Sequence, residues 1–271
     1  MRNFIQPVSA LLSFAVCGGA LLGAPPAIRL RVKPYTQPID FVIQDSHSKM
    51  VLDPRQIVPT EKFDSLERTR QFASGTTENG IQFTVDRLKR DLYVNGDPIT
   101  KNLITPSRFT YIVTPRGETV EAEPSDPIGR ALAPVFPEND ISPGYSWSVT
   151  LPPSPKLPTE LKVTHVLEEV GDVDGIPSAT IMSKGIARGV EPTTGSKILV
   201  DVTGKVSYAL ADGAVVRSKS EVQFQMLEPK AGSKFIPFHQ ITWRTVRRWS
   251  AMNTGVNPEV LTPSSPAAGP K

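Results

Sequence analysis

Cysteine is all but missing. Its one occurrence in 271 residues is Cys17, inside a stretch that reads as a removable leader. A chain trimmed after Ala20 therefore has no thiol, which excludes disulfides, cysteine nucleophiles and thiolate metal sites. Histidine is almost as scarce: His47, His165 and His239 stand far apart, with no acidic or histidine neighbour at metal-motif spacing. No apolar run reaches the ~20 uninterrupted residues of a membrane-spanning helix. An excess of one charge is absent too, since 30 basic and 27 acidic residues leave a formal +3, giving no general attraction to nucleic acid or acidic membranes. Nor does a glycine-rich phosphate loop follow any strand-like segment, so nucleotide binding has no support.

Proline, by contrast, is plentiful, with 27 residues dispersed along the chain. That spacing disfavours long helices and favours short strands joined by structured turns. The 39% hydrophobic content in a chain of this length is enough to bury a sizeable core without metal or disulfide.

Residues 1–24 have the layout of a secretory signal: Arg2, the apolar run Val8 to Val16, then the small residues Gly18, Gly19 and Ala20. Export to the periplasm or beyond is expected, with cleavage after Ala20. Two alternatives are a membrane anchor, opposed by the interruptions at Ser13, Cys17, Gly18 and Gly19, and a lipoprotein held at Cys17, for which Phe14-Ala15-Val16-Cys17 is a loose lipobox.

Downstream the pattern is of hairpins. Ile39, Phe41 and Ile43 alternate with Asp40, Val42 and Gln44 and predict a first strand. Asn79-Gly80 marks a turn before Ile81, Phe83 and Val85, and the apolar parity then slips to Leu88 and Leu92, predicting a bulge or strand end near Arg87. Phe109 to Ala122 reads as a second hairpin about Pro115-Arg116-Gly117. Leu161, Val163, His165 and Leu167 lead into a third through the turn Gly171 to Gly175. From Ile198 to Leu227, Thr203-Gly204 is a turn candidate and Asp212-Gly213 a stronger one. Phe235 to Trp249 is either a strand or a short helix.

Between the halves, Ser125 can cap a short helix with Ile128, Leu132 and Val135 on one face, stopped by Pro134 and Pro137. A strand with Tyr145, Trp147, Val149 and Leu151 on one side follows, and Trp147 is the expected core anchor. Residues 151–158, LPPSPKLP, read as a stiff surface connection, and 258–271 as a disordered tail. Tyr111, Gly117 and Val120 find an echo in Tyr208, Gly213 and Val216, so the 28–250 domain is either one unit or two similar halves.

Thr110 to Gly117, Phe136-Pro137 and Gly144-Tyr145-Ser146-Trp147 together resemble an uncharacterised family of exported bacterial β-rich proteins. Tyr145 departs from the acidic residue that the family tends to place there. The resemblance implies an antiparallel β fold in the cell envelope and no particular activity.

Catalytic motifs are weak. Gly144-Tyr145-Ser146-Trp147-Ser148 lacks the second glycine of a nucleophile elbow, and Ser46-His47-Ser48-Lys49 has Ser-x-x-Lys spacing in what reads as a loop. Asp172 and Asp174 lack the further oxygen ligands of a calcium loop and read as an acidic turn. His165 shares parity with Leu161 and Val163, which predicts a satisfied core histidine. Arg87, Lys89 and Arg90 read as a solvated strand end. Trp243, Arg244, Arg247, Arg248 and Trp249 form the one surface cluster suited to sugars, anionic polymers or lipid headgroups, with Trp243, Arg247 and Trp249 on one face. The competing assignment is an amphipathic closing element.

These readings predict a mainly β protein: antiparallel hairpins in a twisted or curved sheet, sandwich or half-barrel, with one short central helix. It is expected to need no cofactor or metal. Its partner would be an unidentified envelope component, whether protein, polysaccharide or lipid, and not nucleic acid. The leading function is a non-enzymatic binding or structural module. One rival is a carrier of lipid or another apolar ligand, its cavity lined or covered by Ile128, Leu132, Val135 and Trp147. The other is a hydrolase of envelope polymers, which requires a carboxylate pair or a Ser/His contact in a cleft.

Overall fold

The computed structural model describes residues 27–51, 61–99, 107–121, 132–153, 157–191, 195–227 and 238–249. The expected leader with Cys17, Ser125 and Ile128 of the central segment, and the expected C-terminal tail lie outside them.

The strands are β1 (Ile39–Val51), β2 (Glu61–Thr77), β3 (Gly80–Val94), β4 (Asp97–Pro98), β5 (Arg108–Val113), β6 (Thr119–Glu121), β7 (Ser146–Leu151), β8 (Leu161–Val173), β9 (Ile176–Val190), β10 (Lys197–Ala209), β11 (Val215–Leu227) and β12 (Phe238–Trp249). They form one open antiparallel sheet in the order β6-β5-β3-β2-β1-β12-β11-β10-β9-β8-β7, with β4 paired to β3. The layout follows from turn chemistry. Three of the described hairpins reverse where a residue tolerates positive φ: Asp174-Gly175 between β8 and β9, Asn95-Gly96 between β3 and β4, Gly213 between β10 and β11. Pairing of β1 with β12 then joins the two ends of the described chain in the middle of the sheet.

The sheet is strongly curled. Phe83 on β3 and Tyr208 on β10 line the same cavity although they lie five strand spacings apart along the sheet, ~24 Å at ~4.8 Å each. The inward parity carries the core: Leu161, Val163 and Leu167 on β8, Ile181 and Ala187 on β9, Val200 and Val202 on β10, Phe41 on β1, and Phe83 on β3 are all buried. Outward residues such as Lys162, Lys184 and Lys205 are exposed, as a one-sided antiparallel sheet requires.

Two straps cross the concave side and supply its second layer. In the first, residues 27–38, the Val32 amide donates to the Pro115 carbonyl at 2.8 Å and the Lys33 amide to the Asp212 carbonyl at 2.9 Å. It thereby links the β5–β6 turn to the β10–β11 turn and buries Leu30. The second runs from Leu132 to Tyr145. The Phe136 amide donates to Arg116 at one sheet edge, Ile28 and Ile141 form a bridge, and the Gly144 amide donates to Leu167 near the other edge. Phe136 is 1% exposed and meets Tyr208 edge-on, with ring centroids 5.0 Å apart. The glycines of the sequence echo, Gly117 and Gly213, both have positive φ and each lies under one of these straps.

Several expectations need correction. No helix occurs among the described residues of the central segment beyond a single helical residue at Leu132. Pro134 and Pro137 cannot donate helical hydrogen bonds, and the Phe136 amide is committed to Arg116. Trp147 is half-buried on an edge strand, and Phe136, Phe83 and Leu161 anchor the core instead. Thr203-Gly204 lies in mid-strand on β10, where Gly204 leaves room for Leu132 above it. Within the proline-rich connection, Leu157 is fully buried beside Leu161. Residues 238–249 are a strand, and the parity slip is a bulge at Leu88, between the pairs Thr69–Arg87 and Arg68–Lys89.

Candidate functional site

The concave face holds two adjoining cavities on either side of the Leu132–Phe136 strap. The larger, about 520 Å³, is walled by Val206 and Tyr208 on β10, Ser218 to Phe224 on β11, Phe238 to Arg244 on β12, His47 on β1, and Leu132. The smaller, about 360 Å³, lies toward the strapped end among Tyr35, Phe41, Ile43, Phe83, Tyr111, Phe136 and Val246. Ala133, Tyr208 and Val215 line both, so they form one groove partly divided by the strap.

Register makes the groove amphipathic. One cross-strand row passes from Trp147 through His165 and Ser183 to Gly204, and on through Ser220 and Arg244 to Asp45 and Ser65. The flanking row toward the free strand ends holds Val163, Gly185, Val202 and Val222; the row on the other side holds Leu167, Ile181, Val206 and Ser218. A polar row in a concave apolar wall costs desolvation energy unless its members are paired. Most are paired. Arg244 donates to both carboxylate oxygens of Asp45, at 2.7 and 3.0 Å. His47 Nδ1 lies 3.0 Å from Thr242 Oγ1, and Arg87 Nε donates to Glu67 at 2.8 Å, with Arg90 3.7 Å from the other oxygen. Arg87 and Arg90 are therefore held on the concave side by Glu67 and are not a solvated strand end.

At the apolar end of the polar row, His165 is 0% exposed. Its Nδ1 is 2.8 Å from Ser183 Oγ, whereas Nε2 has no hydrogen-bond partner, nor does Trp147 Nε1, whose ring is 5.4 Å away. The expected core histidine is present, but only half satisfied. Burial lowers its pKa to about 4, so the ring is neutral at physiological pH. This Ser–His contact lies beneath the surface, not in a cleft, and Nε2 faces no acceptor to orient it, unlike a nucleophile–base pair. Burial likewise raises the phenols of Tyr35, Tyr111 and Tyr208 above their ordinary value and keeps them protonated.

Ser46-His47-Ser48-Lys49 lies within β1, where alternation sends Ser46 and Lys49 to opposite faces. The Ser-x-x-Lys spacing thus brings no serine to a lysine. In the β8–β9 turn, Asp172 accepts from the Gly175 amide and Asp174 pairs with Arg217 and Arg247. Among the described residues no three His, Cys, Asp or Glu side chains are grouped to hold a metal, and no helix is long and apolar enough to cross a membrane.

The aromatic-basic cluster divides between faces. Trp243, Arg247 and Trp249 share the convex parity, as expected, with Arg68 over the Trp249 ring at 5.9 Å. Arg244 and Arg248 face the concave side, so the five do not make one patch. Of the expected lid residues, Leu132 lines the larger cavity. Val135 and Trp147 line a separate pocket of about 510 Å³ with Arg116, Glu138 and Tyr145. Sequence reasoning missed Ser218, Ser220, Val222, Phe224, Gln240 and Thr242. The usable signal was the alternation along Val215 to Leu227, in which inward positions change from apolar to serine.

No family model and no curated protein matches the chain. Similar solved structures include one of lipid–protein interactions in lipovitellin, at 9% identity and TM-score 0.47, covering 79% of this chain and 25% of that one, so this chain spans a quarter of the lipovitellin chain. DynF from the dynemicin biosynthesis pathway of Micromonospora chersina is similar at 9% identity and TM-score 0.24, with 94% and 95% of the two chains covered. An outer membrane channel from Pseudomonas putida F1 is similar at 8% identity and TM-score 0.22, with 81% and 98% covered.

Proposed function

We propose that this protein is an exported, non-enzymatic module of the bacterial cell envelope that carries an apolar or amphiphilic ligand in the groove of its sheet. The carrying observation is the groove: two adjoining cavities of about 520 and 360 Å³, in the range of small-molecule sites and walled mainly by aliphatic and aromatic side chains. A sheet that needed only to be stable would fill this space, because an unfilled apolar cavity forfeits packing energy. Export is supported by the leader-like layout from Arg2 to Ala20.

Native mass spectrometry of the protein purified from its own envelope fraction, before and after organic extraction, tests the reading directly. A lipid-sized adduct that extraction removes is the expected result. In parallel, Val222→Trp should fill the larger cavity and weaken binding of the uncharged fluorophore N-phenyl-1-naphthylamine at least tenfold, with the circular dichroism of the sheet unchanged. Lys219→Trp, exposed on the same strand, should leave binding intact. A bare polypeptide mass together with no fluorophore binding by the unaltered protein would end the carrier reading.

A further inference from the structure

We infer that the ligand is a single-headed acidic amphiphile, its carboxylate or phosphate at Arg244 and its alkyl tail beneath the Leu132–Phe136 strap, pointing toward the strapped end. The inference rests on the carrier reading and adds headgroup, orientation and chain length to it.

Three observations carry it. The first is charge. Among the described residues lining the larger cavity there is one cation, Arg244, and no acid. Asp45 is the cross-strand partner that grips the guanidinium with two hydrogen bonds, fixing it in the wall with its side chain half-exposed. A pre-oriented guanidinium suits carboxylate and phosphate oxygens, and the hydroxyls of Ser220 and Thr242, opposite Arg244 and one register step away, add neutral donors.

The second is the sequence of environments along the groove. From Arg244 toward the strapped end the lining becomes Val246, Ile43, Phe41, Tyr208 and Phe83, and the one acid among the described residues there, Glu67, is ion-paired with Arg87. Hydrocarbon is favoured at that end and a charged head is not.

The third is length. Along β2 the groove runs from Ser65, which pairs with Asp45 at the headgroup level, to Gln71, a lining residue opposite Ile39 at the strapped end, a rise of ~20 Å at ~3.3 Å per residue. With C–C bonds of ~1.5 Å an extended chain advances ~1.3 Å per carbon, so roughly fourteen to sixteen carbons fill the distance.

Displacement of N-phenyl-1-naphthylamine at pH 8 by palmitate, hexadecyl phosphate and methyl palmitate tests all three. The unaltered protein should prefer at least one acid over the ester by tenfold or more, and the better of the two acids identifies the headgroup. Shortening that acid to ten carbons should cost at least tenfold. In the charge-balanced double variant Asp45→Asn/Arg244→Gln the acid should fall to the level of the ester while the ester is unchanged, and Arg244→Lys should retain part of the preference. Equal binding of acids and ester, a preference that survives the double variant, or indifference to chain length overturns the inference while leaving the carrier reading standing. If none of the three displaces the bound fluorophore, the inference is overturned too, and the carrier reading is decided separately by the native mass and by fluorophore binding itself.

Discussion

Replacing Gly213 by alanine is expected to lower the melting temperature by roughly 6–12 °C, taking a loss of ~3 kcal/mol and ~2–4 °C per kcal/mol for a domain of this size. Two costs combine. Gly213 has φ +71°, a conformation that costs an L-residue ~1–2 kcal/mol. A Cβ there would lie 2.3 Å from the Arg31 carbonyl oxygen and 3.0 Å from Val32 Cα. Both are backbone atoms, so no rotamer change relieves the contact and the first strap has to lift. Lifting it strains the Lys33–Asp212 hydrogen bond and withdraws Leu30 from its buried site. Gly175→Ala isolates the first cost: φ there is +80°, with nothing within 4 Å of the added Cβ, so a smaller fall of ~2–8 °C is expected. Differential scanning calorimetry of the two variants decides the matter, and equal losses would refute close strap approach as the larger cause.

This contrast shows which parts of the fold were legible in the sequence. Gly213 and Gly175 both announced turns through an Asp-Gly pair, and both turns exist. Parity likewise placed Ile39, Phe83, Val163 and Phe224 on one face, because a period of two is fixed by the backbone itself. The close approach of Arg31 to Gly213 was not legible, since it depends on a contact between segments more than 180 residues apart. The same holds for the central segment. Ile128, Leu132 and Val135 have helical spacing, yet in the described part an extended strap wins, because Phe136 gains a buried site against Tyr208 and a backbone bond to Arg116 that a helix would forfeit. Local periodicity is a weak prior where tertiary packing offers more.

The candidate site was still less legible. Arg244 was singled out, but as part of a surface cluster with Trp243 and Arg247, which alternation places on the opposite face. Its true partner, Asp45, lies 199 positions away, and only the β1–β12 pairing brings the two together. Ser183, Gly204 and Ser220 look unremarkable in their own strands. They become a continuous row with Arg244 only when the register of four hairpin-linked strands is known.

That row also fixes how the fold should respond to acid. His165 is neutral and fully buried between Trp147 and Ser183, with its pKa pushed by burial from 6.5 to about 4. In the unfolded chain the same ring takes up a proton near pH 6.5, so between there and pH 4 the unfolded state binds more protons and acid favours unfolding. At ~1.4 kcal/mol per pH unit, the loss should begin below pH 6.5, reach about 3 kcal/mol near pH 4 and level off below the folded pKa. Other acid-sensitive groups act lower. Burial raises the Asp40 carboxyl, but Arg70 and Arg68 outweigh it and hold the pKa below 3.8. The Arg108 hydrogen bond does the same for Asp86, so both give up their contribution only beneath the histidine window. Urea unfolding of the unaltered protein and of His165→Leu, at half-unit steps from pH 7 to 4, separates the contributions. The unaltered protein should lose about 3 kcal/mol more than the variant across that range, even though His165→Leu leaves the Ser183 hydroxyl without its partner and lowers stability at pH 7. Parallel curves would mean that the imidazole takes its proton in the folded state, and that Nε2, unpartnered beside the Trp147 ring, reaches an acceptor when charged.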